Sequence, residues 1–313
     1  MGRLWDLKGR WLSRDLAAWV LMAIGATLMT TGLAPLSWAQ SLPTLERQSA
    51  QPDAQTAEGQ MAIGVQYVQQ GQLEPAIAAF RQAAALNPAF APAHYNLGLA
   101  LRQQGNLQAA ANSFYQALQA DPGFALAYAS LGAALLEGGN LTQASEYLQR
   151  AVLLDPNLGL GHYNLGLVYQ QQRQTDRAIV EFKKAAQLST NAAEPSYHLG
   201  LIYLQQGQTA AATEALQRAV TLNPRYSEAH YSLGTIWYQQ GNLNRALDSF
   251  RRSAEANPNY PNAYYGAGLV FMQQDNSTEA QRVLQYARDL FAAQGNTQWV
   301  ERSAQLLQQA QSR

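Results

Sequence analysis

From residue 57 to residue 294 the chain repeats every 34 residues, with no insertion or deletion. Blocks begin at 57, 91, 125, 159, 193, 227 and 261. The eighth position of each block is Gly64, Gly98, Gly132, Gly166, Gly200, Gly234 or Gly268. The twentieth is Ala76, Ala110, Ala144, Ala178, Ala212, Ala246 or Ala280. Glycine makes up about 7% of ordinary residues, so seven in one register arise by chance with a probability on the order of 10⁻⁸. A period of this length means a stack of small units, each burying its apolar face on its neighbours.

Within a block the apolar spacing is helical. His94, Leu97, Gly98 and Leu101 fall at i, i+3, i+4 and i+7, on one side of a helix. Gln103-Gln104-Gly105-Asn106 then interrupts it, since glycine suits a left-handed helix stop and asparagine a helix start. Ala110, Phe114 and Ala117 share one side of a second helix, and Asp121-Pro122 ends it, because the residue before proline is steered out of helical geometry. Each block is therefore a helical hairpin. Glycine at position 8 and alanine at position 20 let the two backbones approach, with the large residue at position 24 beside them.

These positions carry a family likeness. Position 11 reads Tyr67, Leu101, Leu135, Tyr169, Tyr203, Trp237, Phe271; position 24 reads Phe80, Phe114, Leu148, Phe182, Leu216, Phe250, Leu284. A closing proline stands at Pro88, Pro122, Pro156, Pro224 and Pro258. Residues 57–294 resemble the tetratricopeptide repeat, whose pattern is W-x₂-L-G-x₂-Y…A-x₃-F…P. The resemblance implies an all-α, right-handed superhelical solenoid of seven helix-turn-helix repeats: 57–90, 91–124, 125–158, 159–192, 193–226, 227–260 and 261–294. Departures are informative. Position 4 is never tryptophan but Gln60, His94, Tyr128, His162, Ser196, His230 or Tyr264, and block four ends in Ser189-Thr190 with no proline. A looser or differently angled fourth-to-fifth junction is expected there. Residues 295–313 form a capping helix with Trp299, Val300, Ser303, Leu307 and Ala310 on one face, covering the open end of repeat seven.

The N-terminus reads as a targeting segment. Residues 1–15 carry Arg3, Lys8, Arg10 and Arg14 against Asp6 and Asp15, and no charge follows until Glu46. Leu16 to Leu28 is mostly apolar, and Ser37-Trp38-Ala39 puts small residues before a cut at Gln40. Residues 1–39 thus form a secretory signal peptide or, uncleaved, an inner-membrane anchor over residues 16–34. Either way the remainder is exported, to a periplasm or equivalent lumen. Residues 40–56 are a flexible leader.

Composition narrows function. The formal net charge is zero and only 13% of residues are charged, while glutamine occurs 38 times. No long-range field draws a phosphate backbone, so nucleic acid is not a partner. Without cysteine there is no thiolate ligand or thiol nucleophile. The histidines show no ligand spacing, since His94, His162 and His230 sit two repeats apart at position 4. No metal, cofactor or catalytic constellation is expected.

The functional candidate is the first-helix face at positions 5, 9, 12 and 13, which the resemblance implies lines a concave groove. It carries Tyr95, Tyr163, Tyr197, Tyr231 and Tyr265, beside Leu99, Leu167, Leu201, Leu204 and Tyr238. Gln103, Gln171, Gln205 and Gln239 edge it. Tyrosine supplies large contact area with a hydroxyl, and glutamine both donates to and accepts from a peptide backbone. The tyrosines equally suit packing between neighbouring first helices. A carboxylate-clamping groove of this family needs basic residues and asparagine at positions 2, 5, 6 and 9; position 2 here is Glu58, Pro92, Leu126, Leu160, Glu194, Glu228 or Asn262. The expected function is a non-catalytic scaffold that holds a partner polypeptide in this groove, in assembly or maintenance of a membrane or envelope complex. The alternative is a glycan-binding module of envelope polysaccharide biosynthesis or export. Arg81, Arg150, Lys183, Lys184, Arg218, Arg251 and Arg252 recur at positions 25 and 26 of the second helices and read as a solvated outer face.

Overall fold

The structure, a computed structural model, describes residues 53–312. All regular elements among them are helices: α1 (Ala57–Gln69), α2 (Leu73–Leu86), α3 (Ala91–Gln103), α4 (Leu107–Ala120), α5 (Ala125–Glu137), α6 (Leu141–Leu154), α7 (Gly159–Gln171), α8 (Thr175–Leu188), α9 (Glu194–Gln205), α10 (Thr209–Leu222), α11 (Ser227–Gln239), α12 (Leu243–Ala256), α13 (Pro261–Met272), α14 (Ser277–Ala293) and α15 (Thr297–Gln311). The signal-peptide, anchor and most of the leader assignments lie outside the described residues. No described helix is long and apolar enough to cross a membrane.

Each 34-residue block holds one helix pair, and the pair closes on the position-8 glycine. A methyl built on Gly166 would meet the Phe182 ring at 2.7 Å; on Gly98 it would meet Phe114 at 2.6 Å. The same contact recurs as Gly64 on Phe80, Gly132 on Leu148, Gly200 on Leu216, Gly234 on Phe250 and Gly268 on Leu284. All seven position-24 side chains are buried. The glycine is thus a seat for the position-24 side chain more than a point of backbone-to-backbone contact.

The turn inside each hairpin needs a left-handed residue at position 15. Glycine supplies it at Gly71, Gly105, Gly139, Gly207 and Gly241, with φ between 70° and 84°. Two blocks break the rule: Arg173 and Asp275 hold φ of 60° and 48°. Where position 16 is asparagine, its side chain accepts from the backbone three residues on, as Asn106 does from Ala109 and Asn242 from Arg245.

Between hairpins, two devices recur. The position-31 Asx side chain accepts from the backbone N–H two residues later: Asn87 from Ala89, Asp121 from Gly123, Asp155 from Asn157, Asn223 from Arg225, Asn257 from Asn259. The position-4 side chain then reaches back to the closing proline's carbonyl. His94 donates to Pro88 at 2.9 Å, His162 to Pro156 at 3.0 Å, His230 to Pro224 at 2.9 Å and Tyr264 to Pro258 at 3.1 Å. The linker after α8 has neither device available: it reads Ser189-Thr190, without Asx-Pro, and position 4 of the next block is Ser196. The chain divides into two compact units at this point, one ending at Thr190 and the other beginning at Asn191.

Inside each unit, every second helix that is followed by another hairpin packs on that hairpin's first helix. First helices also touch directly, α3 with α5 and α5 with α7 in one unit, α11 with α13 in the other. First helices therefore line the inner side of each unit and second helices its outer side. Position 10 is aliphatic in six of the seven blocks. Ala100, Ala134, Val168, Ile202, Ile236 and Val270 are buried, whereas Gln66 of α1 is exposed and polar. At the opposite end α15 lies on α14, with Trp299 stacked on Phe291 at 5.5 Å and edge-on to Tyr265 at 5.1 Å. Trp299, Ser303, Leu307 and Ala310 are buried, and the exposed side of α15 carries Glu301, Gln305, Gln308 and Gln309.

Gly166→Ala is expected to lower unfolding free energy by about 1–3 kcal/mol, because Phe182 must leave its seat. Arg173→Gly should raise it by about 1 kcal/mol by removing the left-handed penalty of a side-chain-bearing residue. Urea titration followed by circular dichroism reads both changes; opposite signs would refute the packing and turn assignments. Removing residues 297–313 uncovers Phe291 and Tyr265, and the truncated chain should associate in light scattering while keeping most of its helical signal. A truncated chain that stays monomeric with unchanged melting contradicts the capping role.

Candidate functional site

The inner, first-helix side of each unit carries the residues singled out from the sequence, and burial sorts them into two groups. Tyr95, Tyr197 and Tyr265 are only 6%, 2% and 4% exposed, and Leu99 is buried with them. These side chains are core. Tyr95 packs on Phe114 and on Phe124, with ring centroids 5.7 and 5.0 Å apart, and its hydroxyl lies 3.4 Å from Ser130 Oγ. Tyr197 lies 4.7 Å from Tyr226, and Tyr265 is covered by Trp299 of the cap.

The covering ring comes from position 34, the last residue of the same block: Phe124 over Tyr95, Tyr226 over Tyr197, Tyr260 against Tyr231 at 5.7 Å. Reading the sequence position by position misses this partner, because it sits in the linker, outside the helical period. The signal was present as an aromatic at position 34 in Phe90, Phe124, Tyr226 and Tyr260. The packing reading of the position-5 tyrosines therefore holds for Tyr95, Tyr197 and Tyr265, which offer a partner almost no surface.

The remaining candidates are accessible. In residues 53–190, Tyr163 and Leu167 are partly exposed, and Gln103 and Gln171 are exposed. Tyr163 also leans on Phe182 at 6.0 Å. In residues 191–312, Leu201, Leu204, Tyr231 and Tyr238 are partly exposed, and Gln205 and Gln239 are exposed. Leu269 of α13 joins them as a partly buried side chain. Each unit thus presents its own strip of aromatic and leucine side chains edged by amides. The candidates do not form one uninterrupted ladder of tyrosines.

Electrostatically the strips are close to neutral. Burial pushes the hydroxyls of Tyr231 and Tyr260 upward, Tyr260 strongly and with neighbouring tyrosines adding to it, while Tyr264 is raised to about 12. These phenols stay protonated at physiological pH and act as neutral hydrogen-bonding groups. An ion pair on this side joins Arg102 of α3 to Glu137 of α5, with Arg102 Nε 3.0 and 3.1 Å from the two carboxylate oxygens. It staples position 12 of repeat two to position 13 of repeat three. Asn96 at position 6 donates to Pro92 O, and its own Oδ1 is buried without a hydrogen-bond partner.

Three histidines are occupied by the proline carbonyls described above, and the second nitrogen of His162 faces Glu181 at 2.6 Å. Among the described residues no three of His, Asp and Glu gather closely enough to hold a metal ion. Two shallow depressions, of about 510 and 410 Å³, lie at the turn of hairpin six and beside Trp237, and contain none of the inner-side candidates.

Comparison with known proteins agrees with this architecture. The family model described as "Cilia and flagella-associated protein 70 C-terminal domain", a tetratricopeptide-repeat model, matches residues 22–259, and a second described as "Tetratricopeptide repeat" matches residues 239–297. No curated protein sequence matches the chain. Among solved structures, the APC/C hetero-tetramer Cut9-Hcn1 superposes with a TM-score of 0.60 at 23% identity, over 68% of this chain and 42% of that one. The chain therefore spans less than half the length of that protein. A tetratricopeptide repeat protein from Parabacteroides merdae gives a TM-score of 0.57 at 18% identity, over 82% of this chain and 98% of the other. PilW, titled a widely conserved type IV pilus biogenesis factor, gives 0.58 at 19% identity, over 65% and 94%. At these identities the solved structures speak for the fold. Together with the family models and the seven-fold Gly–Phe/Leu seat, they make this chain a member of the tetratricopeptide-repeat family.

Proposed function

We propose that this protein is a non-catalytic scaffold that binds an extended segment of a partner polypeptide along the inner strip of residues 191–312. One observation carries the reading. Leu201, Leu204, Tyr231 and Tyr238 stay partly exposed on neighbouring first helices, next to the exposed amides Gln205 and Gln239. Apolar side chains left open beside a row of amides suit a peptide, whose side chains take the former and whose backbone takes the latter. The absence of formal charge at these six positions favours contact by shape and hydrogen bonding. The reading of residues 1–39 as an export signal supports a place of work outside the cytoplasm, in assembly or maintenance of an envelope complex.

A peptide array screened with the full chain, followed by anisotropy titration of the best segment, tests this. Tyr238→Ala and Leu201→Ala should each weaken binding by about 1–3 kcal/mol with little change in melting. Tyr197→Ala should behave oppositely, costing about 3 kcal/mol of stability because its ring is core. Arg251→Glu and Arg252→Glu, on the outer side of hairpin six, should leave affinity unchanged. A partner lost with the arginines and kept with Tyr238→Ala sits on the outer face. Binding on a parallel glycan array with none on the peptide array would replace the polypeptide with a saccharide.

A further inference from the structure

The outer face differs between the two units in a way the inner face does not. Positions 22, 25, 26 and 29 of the second helices share one side of the helix and are exposed in every one of repeats one to four. In residues 53–190 these positions hold Arg81, Arg150, Lys183 and Lys184, against the single carboxylate of Glu146. Among the described residues none of the four cations makes an ion pair. Of the unit's other carboxylates, Asp176 stands exposed at position 18, one turn before Val180, and Glu58 lies on a first helix; five more are engaged elsewhere. Glu137 pairs with Arg102, Glu181 faces His162, Glu74 accepts from Gln104, and Asp121 and Asp155 hold their linkers.

Apolar side chains stand among these cations. Leu153 is 68% exposed, Val180 60% and Tyr115 46%, all at the same positions. Every large apolar side chain that stands exposed among the described residues lies in this unit; Leu86 and Leu188, at position 30, complete the set. Residues 191–312 provide the internal comparison. There the same positions hold Arg218, Arg251, Arg252 and Arg282 balanced by Glu214, Asp248, Glu255 and Asp289. Asp248 pairs with both Arg251 and Arg252, and Glu255 with Arg251. One outer face is self-neutralised and polar; the other is cationic and studded with hydrocarbon.

We propose that the outer face of residues 53–190 docks on the surface of an anionic lipid bilayer. Leu153, Val180 and Tyr115 stand out from separate second helices, 68%, 60% and 46% exposed on the outer side of their unit. A folded acidic protein would need a matching hollow for each. A headgroup layer is deformable and admits isolated apolar side chains, while lysine and arginine lay their stems alongside and place their charges at the phosphates. Each basic residue near such a surface contributes about a fivefold gain in partition, so four unpaired cations suffice for reversible, salt-sensitive docking.

Residues 16–34 read as able to enter a bilayer by themselves, so bulk binding is not the readout. The full chain has no cysteine. A single Leu153→Cys carrying a polarity-sensitive fluorophore therefore reports the outer face of one unit. Gln217→Cys, exposed at position 25, reports the outer face of the other. With vesicles of phosphatidylcholine mixed with phosphatidylglycerol, the probe at 153 should shift to the blue and the probe at 217 should not. Lys183→Gln with Lys184→Gln, both exposed, should lower the partition read at 153 about 30-fold, as should raised salt in direction. No shift at 153, an equal shift with pure phosphatidylcholine, or an equal shift at 217 overturns the proposal. So does a shift of the same size produced by polyglutamate without lipid, which would make the face an acidic-protein site.

Discussion

One contact repeats through the molecule and everything else is arranged around it: a large side chain at position 24 lying flat on a glycine at position 8. The glycine has no Cβ, so the ring or leucine comes within a distance that any other residue would forbid. This fixes the separation of the two helices in each hairpin. Fixing it fixes where the linker leaves, and hence where the next hairpin starts. The alanine at position 20, fully buried in all seven repeats, keeps the same gap narrow one turn earlier. Polar devices then refine what the apolar contact has set, with Asx side chains turning the linkers and position-4 rings tying back to proline carbonyls.

Much of this was legible in the sequence because a strict period converts seven weak observations into one strong one. Gly166, Ala178 and Phe182 would each be unremarked in isolation; in register they specify a helix crossing. The cap was legible for the same reason, since Trp299, Ser303, Leu307 and Ala310 keep helical spacing where the block pattern stops. What the period could not supply was the direction in which a given position faces across units of structure. Tyr197 and Tyr238 look equally suited to a ligand, yet Tyr226, 29 residues after Tyr197, covers the first and leaves the second open. A linker residue carries no helical phase, so its partner has to be seen. The acceptor of His94, His162 and His230, a proline carbonyl six residues earlier, likewise belongs to the preceding block.

The two sides of the stack divide the chemistry. Inner positions are neutral, with tyrosine hydroxyls held in their protonated form by burial and a border of amides. Outer positions 22, 25, 26 and 29 carry eight of the fifteen arginines and lysines among the described residues, and there the two units part company, one balanced by its own carboxylates and the other not. The division falls at Ser189-Thr190, where the Asx-Pro linker is missing, so the change in local sequence and the change in surface character coincide. A chain built from near-identical blocks thus presents more than one kind of surface without departing from its packing rule.

The exposed Gln66 on α1 has a consequence for how such a chain changes length. Six blocks bury an aliphatic side chain at position 10, and the first block alone has an amide there; at the other end α15 turns glutamines outward. A block added before α1 would bury Gln66, and a block added after α15 would have to displace Trp299 from Phe291. A 34-residue unit duplicated or lost in the interior meets neither obstacle, because both of its faces already match their neighbours. Within either unit the array is therefore free to lengthen or shorten at an interior block.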